Sequence, residues 1–201
     1  KEDQSLSPFP STVSQAVFRA LAAGLSATAT LARAAGAHLT VVDCGIDGDV
    51  ADVAATVGTV DDQMKGGQRA SAHSHISVVH AKVARGTQNL LKGPAMTEEQ
   101  LSKALALGAS CLVTQVKEYG ARAVGIGEVG IGNTTVAAAL LTALTGSSAA
   151  DCCGRGTGLD ESGLAHKVET VRKACDFHRA TYASEQDEAT KAKLILKHLG
   201  G

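Results

Sequence analysis

Apolar positions along the chain fall into two kinds of stretch, punctuated mostly by glycine and proline. Behind Pro8 and Pro10, where Ser11 or Ser14 can cap a first turn, an Ala- and Leu-rich stretch predicts a helix running to about Gly36, a natural stop. LTVVD at 39–43 is short, β-branched and apolar, which predicts a buried strand. The following stretch to Gly67 is looser and carries Asp47, Asp49, Asp52, Asp61 and Asp62. Residues 76–83 form another β-branched run, and the turn-rich RGTQNLLKGPAM follows it. Thr97, with Gln100 three residues on, makes a capping box that predicts a helix ending near Gly120. A strand is expected at 121–126 and a helix at 133–144 stopping at Gly146. A further helix is expected at about 160–179, after the glycine-rich turn CGRGTGLD. Strands alternating with helices predict parallel β-α units. The expectation is an α/β fold in one domain over 1–201, with a layered, mostly parallel, Rossmann-like sheet flanked by helices.

Composition narrows the function classes. With 201 residues, 44% of them apolar, the chain can enclose one sizeable core. A net charge of −1 gives no basic field for a nucleic-acid backbone, and 2% aromatics without Trp give no platform for stacking bases. Nucleic acid is therefore not an expected partner. No apolar run reaches membrane-spanning length, and KEDQSLSPFP has no signal-peptide core, so no membrane partner is expected either. Five cysteines, odd in number and without metal-type spacing, suggest reduced thiols and a cytoplasmic location. His73-x-His75, with His80 further on, suggests a metal site because alternate strand residues share a face, but no carboxylate or cysteine completes a ligand set, so no metal is expected. The acidic cluster at 43–52 lacks calcium-loop spacing. Asp43 differs from the rest of that cluster, because it ends a strand at the sheet edge where α/β ligands bind. Arg85, Asn89 and Arg155 are plausible ligand-side or dimer-side residues with no role assigned.

The stretch GIGEVGIGNTT at 125–135 fits two patterns at once. Residues 125–130 spell G-x-G-x-x-G, the dinucleotide fingerprint, and 127–134 spell a P-loop whose lysine is replaced by Asn133. The dinucleotide reading needs the helix to begin inside the fingerprint, yet Ile131-Gly132-Asn133 keeps the chain non-helical beyond it. The P-loop reading puts Glu128 where a nucleoside triphosphate needs a cation. What remains is a glycine-rich turn from strand to helix, where first-turn amides lack partners and the helix dipole favours an anion. A phosphate monoester suits that site, with Thr134 and Thr135 adding hydroxyl donors and the missing cation arriving from elsewhere in the chain.

GEVGIGNTT also resembles the GEMGIGNTT signature of the nicotinate-nucleotide:dimethylbenzimidazole phosphoribosyltransferases. VVDCGIDGDV at 41–50, ARGTQNLLKGPAMT at 84–97 and GRGTGLDESGLAHK at 154–167 agree with the same family, and the likeness runs from SPFPSTV to HLGG. The resemblance implies transfer of phosphoribose from nicotinate mononucleotide to 5,6-dimethylbenzimidazole or a related base. The products would be α-ribazole 5′-phosphate and nicotinate, with no cofactor, and a homodimer is expected. It implies phosphate binding by Gly130, Gly132, Asn133, Thr134, Thr135 and Lys167, and electrostatic stabilisation of an oxocarbenium-like centre by Glu128. Ser11, where relatives commonly carry glutamine, and Val129, where they carry methionine, are the base-binding candidates. Family members are longer, and their general base lies in a GEGTGA-like segment beyond the part matched here. This chain alone is thus expected to bind with little or no turnover. Two readings stay open: a transferase or its phosphate-binding core, and a non-catalytic module for phosphoribosyl ligands.

Overall fold

The computed structural model describes residues 7, 9–54 and 75–201. They form two compact units, one of residues up to 11, 86–101 and 130–201, the other of 12–85 and 102–129. The second unit carries the described strands, β1 (Leu39–Asp43) and β2 (Ile76–His80), paired in parallel with Leu39 opposite Ile76 and Asp43 opposite His80. Alternation along a strand sends successive side chains to opposite faces. Leu39, Val41, Ile76 and Val78 meet helix α1 (Val13–Ala22), which contributes Phe18, Leu21 and Ala22 at helical spacing. Thr40 and Ser77 lie between them in sequence and turn the other way, towards helix α3 (Glu98–Tyr119). Gln115 donates to Thr40 Oγ1 (2.6 Å), and Ser77 Oγ is 3.0 Å from Tyr119 Oη. His38 stacks on the Tyr119 ring with centroids 3.8 Å apart, its Nε2 2.9 Å from Ser77 Oγ. The unit is therefore a helix-sheet-helix sandwich, and the α/β class holds.

Three expectations are corrected. The first helix is two helices: Gly24 takes φ +75°, α1 stops, and α2 (Ala27–Ala34) restarts with Ser26 accepting the Ala29 N–H at 3.0 Å. Neither Ser11 nor Ser14 is the cap, since Thr12 holds that position without a side-chain bond. Residues 121–126 form no strand. Val124 is 41% and Ile126 97% exposed, and among the described residues β1 and β2 pair only with each other. Strand propensity largely measures packing on a sheet, and Gly125 and Gly127 remove side chains that could pack. Asp61, Asp62 and His73 lie outside the described residues.

The end of β1 is a crosslinked corner. Asp43 is 2% exposed and accepts the Ile46 N–H (3.0 Å), while Lys82 pairs with its carboxylate at 2.8 Å and donates to the carbonyls of Ile46 and Gly48. Gly48 has φ +154°, and a Cβ there would be strained and would displace the Gln15 side chain, which favours glycine.

The other unit is helical. Helices α4 (Asn133–Thr145), α5 (Ala149–Cys152), α6 (Glu161–Tyr182) and α7 (Glu188–Leu199) enclose Leu90, Ala138, Ala139, Val171, Ala174, Cys175, Ile195 and Leu199. Two alanines on α4 bring its backbone close to α6, where Cys175 Sγ is 3.5 Å from Ala139 O. The buried stripe of α6 reads Lys167, Thr170, Val171, Ala174, Cys175, His178, Tyr182, so helical periodicity puts an ammonium in a core position. The loop at 86–97 is tied down by His178 Nε2 donating to Leu90 O (2.8 Å) and by Ala95 N–H donating to His198 O (3.1 Å).

Caps close the helices, among them the capping box expected at Thr97. Thr97 and Gln100 bond reciprocally at 2.9 and 3.1 Å, Asp160 Oδ1 accepts the Gly163 N–H (2.7 Å), and Asp187 accepts that of Thr190 (2.8 Å). The Thr97→Ala change leaves the Gln100 amide without its acceptor. It is expected to cost about 1 kcal/mol, read as a lowered urea midpoint with an unchanged slope.

Candidate functional site

The turn entering α4 is made by glycine. Gly132 holds φ +90° at the N-cap, a left-handed conformation that a residue with a Cβ adopts at a cost, and Asn133, Thr134 and Thr135 make the first helical turn. Opposite it runs the segment 154–159, where Gly156 takes φ +56°. A Cβ on Gly156 would stand 3.1 Å from Thr134 Oγ1 and 3.7 Å from Lys167 Nζ, so glycine lets this backbone close on both. Lys167 reaches up from α6 to the same place, where Nζ donates to Thr134 Oγ1 at 2.8 Å and to Gly154 O at 3.0 Å.

Around that ammonium lies a pocket lined by Gly130, Ile131, Gly132, Asn133, Thr134, Arg155, Gly156, Thr157, Leu159 and Lys167, with Ser7 at its side. Lys167 is 1% exposed, and among the described residues no carboxylate pairs with it. Burial pushes its pKa below that of an ordinary lysine, while the neighbouring Cys153 acts weakly the other way. Both its acceptors are neutral oxygens. A buried ammonium with only neutral partners at the N-terminal end of a helix is arranged for an anionic ligand.

Lys167, Gly130, Gly132, Asn133 and Thr134 thus line one pocket. Thr135 does not line it: its side chain is turned into the core and is 1% exposed. Nor are the first-turn amides unpaired. Asn133 N–H donates to Gly130 O (3.3 Å), Thr135 N–H to Gly132 O (3.0 Å), and Thr134 N–H to the Asn133 carboxamide oxygen (2.8 Å). The turn is tight enough to satisfy itself, and a side-chain oxygen stands where an anion oxygen would bond. Ser11 is half-buried in this unit and outside the lining, while Glu128 and Val129 belong to the other unit, where both are exposed. Arg155, a plausible ligand-side residue on sequence grounds, stands in the lining, whereas sequence reasoning does not single out Ser7, Gly156, Thr157 and Leu159. The glycine-rich GRGTGL run is the available signal, since such turns let a backbone approach a ligand.

Of the other candidates, Asp43 is engaged by Lys82, and His80 Nε2 donates to Val53 O (2.8 Å). Among the described residues no group of His, Cys, Asp or Glu is placed to hold a metal ion, and no helix is long and apolar enough to cross a membrane. All five cysteines are unpaired thiols.

The pocket pairs the start of a helix with a buried lysine, and comparison with known proteins gives the class. A family model described as phosphoribosyltransferase matches residues 2–201. Relatives named nicotinate-nucleotide–dimethylbenzimidazole phosphoribosyltransferase include those of Chromobacterium violaceum, 39% identical over 85% of this chain and 43% of the relative, and Geobacter metallireducens, 39% identical over 88% and 44%. That of Desulforamulus reducens is 37% identical over 98% of this chain and 48% of its own length. A crystal structure of CobT from Thermus thermophilus superposes with a TM-score of 0.75 at 29% identity, covering 98% of this chain and 50% of that one. The chain belongs to the nicotinate-nucleotide–dimethylbenzimidazole phosphoribosyltransferase family. It spans a little under half the length of the relatives named here.

The lysine makes stability depend on pH with a definite sign. Its pKa is lower folded than unfolded, so ionised Lys167 destabilises the fold throughout the range below the folded value. That cost fades as pH rises towards about 10.4, the unfolded value. Lys167→Met fills the same stripe position without a charge. It is expected to match or exceed the parent in urea stability at pH 7, with the difference narrowing towards pH 10; a variant less stable at pH 7 would contradict the burial argument.

Proposed function

We propose that this chain binds nicotinate mononucleotide by its 5′-phosphate in the Lys167 pocket and acts in the transfer of phosphoribose to 5,6-dimethylbenzimidazole or a related base. The observation that carries this reading is the ammonium of Lys167, buried against Thr134 with no carboxylate partner among the described residues. The names of the family relatives supply the nucleotide and the acceptor base.

The phosphate sits against Lys167 and Thr134, and its oxygens replace the Asn133 carboxamide on the Thr134 amide. Each such bond is charge-assisted and made in a poorly solvated place, which strengthens it. Gly130 and Gly132 leave the approach open, and Thr135 supports the turn from below. With the phosphate anchored, the ribose is oriented for displacement at its anomeric carbon. The bond to the nicotinate nitrogen breaks with its electron pair leaving on nicotinate, the bond to the benzimidazole nitrogen forms on the opposite side, and the acceptor nitrogen passes its proton to a general base, a role proposed for no residue of this chain. Positive charge gathers on the ribosyl centre as nicotinate departs. Glu128 is the carboxylate proposed to stabilise it. Ser11 and Val129 are the proposed contacts to the acceptor base, the working form is a homodimer, and the compartment is the cytoplasm.

Lys167→Met separates this reading from its rivals, because the change removes charge while keeping bulk. Loss of one charge-assisted bond, worth about 1.5–3 kcal/mol, is expected to weaken nicotinate mononucleotide binding about 10- to 100-fold by calorimetric titration. Unchanged affinity in a folded variant would refute the phosphate site.

A further inference from the structure

Among the described residues two ionisable side chains line the pocket, Lys167 and Arg155, and both are cationic. Their circumstances differ. Lys167 is buried and fixed by Thr134 Oγ1 and Gly154 O. Arg155 stands at the rim, its side chain 49% exposed, with Nη1 donating to Leu159 O at 2.9 Å and Nη2 paired with Glu161, whose side chain is 85% exposed. The next residue is Gly156, whose left-handed turn brings this segment against Thr134 and Lys167.

A phosphate monoester above its second pKa, about 6, carries close to two negative charges, and Lys167 balances one. Resting on the phosphate-site reading above, we propose that Arg155 is the second cation for the ligand's phosphate. Glu161 holds its guanidinium at the rim until the ligand arrives. The pair thereby sets a preference for dianionic phosphomonoesters over singly charged esters of the same shape. A solvent-exposed ion pair is weak, so Glu161 yields the guanidinium readily to a doubly charged group. Arginine has five donors in a planar fork, and the bond to Leu159 O uses one, leaving others to meet two phosphate oxygens together. Glu161 stays behind because it occupies the first turn of α6, where the helix dipole favours a carboxylate. Among the described residues the lining contains no carboxylate to oppose the dianion.

The test is calorimetric titration of the chain at pH 8 with ribose 5-phosphate and with ribose 5-sulfate, which differ by one charge. The parent is expected to favour the phosphate ester about tenfold or more. Arg155→Gln is expected to lose most of that preference while its affinity for the sulfate ester changes less than about threefold. Glu161→Gln, with the guanidinium released, is expected to bind the phosphate ester a few-fold tighter. An Arg155→Gln protein that keeps the preference, or loses both esters equally, overturns the proposal. If that variant does not fold, Glu161→Gln decides, and unchanged phosphate-ester affinity in it is the overturning result. A parent that binds neither ester removes the phosphate site itself, whereas a parent that binds both with equal strength removes the role of Arg155 alone.

Discussion

A lysine ammonium with no carboxylate partner among the described residues is the constraint around which one half of this molecule is arranged. Lys167 occupies a position of α6 that the helical repeat turns inward, at the head of a stripe that continues through Val171 and Ala174. Removing an ammonium from water is expensive unless its donors are met, and here a threonine hydroxyl and a peptide carbonyl meet two of them. The left-handed turns at Gly132 and Gly156 make this geometry possible, one by opening α4 beneath the site and the other by admitting the 154–159 backbone beside the amine. An anion entering the pocket would supply the missing charge.

The contrast with Asp43 shows why that absence carries meaning. Asp43 is as deeply buried, and on sequence grounds it is the more conspicuous residue, at the end of a strand in an α/β unit. Its carboxylate, however, faces Lys82 and the Ile46 amide, and Lys82 gives its remaining donors to two loop carbonyls. Charge and hydrogen bonds are both satisfied, and the result is a braced corner. Two buried ionisable groups of similar exposure therefore serve different ends, and the partner decides which.

Local signals are legible where the chain's own neighbours supply the physics. β1 falls where its four apolar and β-branched residues, Leu39 to Val42, put it, the capping box at Thr97 forms as written, and Gly120 and Gly146 stop their helices with positive φ. A single long N-terminal helix fails as an expectation because Ala-rich periodicity continues through Gly24, whose left-handed turn lets Ser26 start again. The expected strand at 121–126 fails for the opposite reason. Its residues have strand-like side chains, but pairing needs a neighbour, and a neighbour is not a property of six residues.

The candidate site divides along the same line. Reading the residues in order suffices to show that a glycine-rich turn opens a helix at Asn133 and that Asp160 begins another, since bonding over three or four residues is a local property. Long-range packing is what brings Lys167 to Thr134, which is 33 residues away in the chain, turns Thr135 inward and stands Arg155 at the pocket's rim. The rotamer by which the Asn133 side chain takes the Thr134 amide is likewise visible only in three dimensions. These features depend on how closely α4 and α6 pack through Ala138, Ala139 and Ala174, and packing distance is set by all the side chains in the contact together.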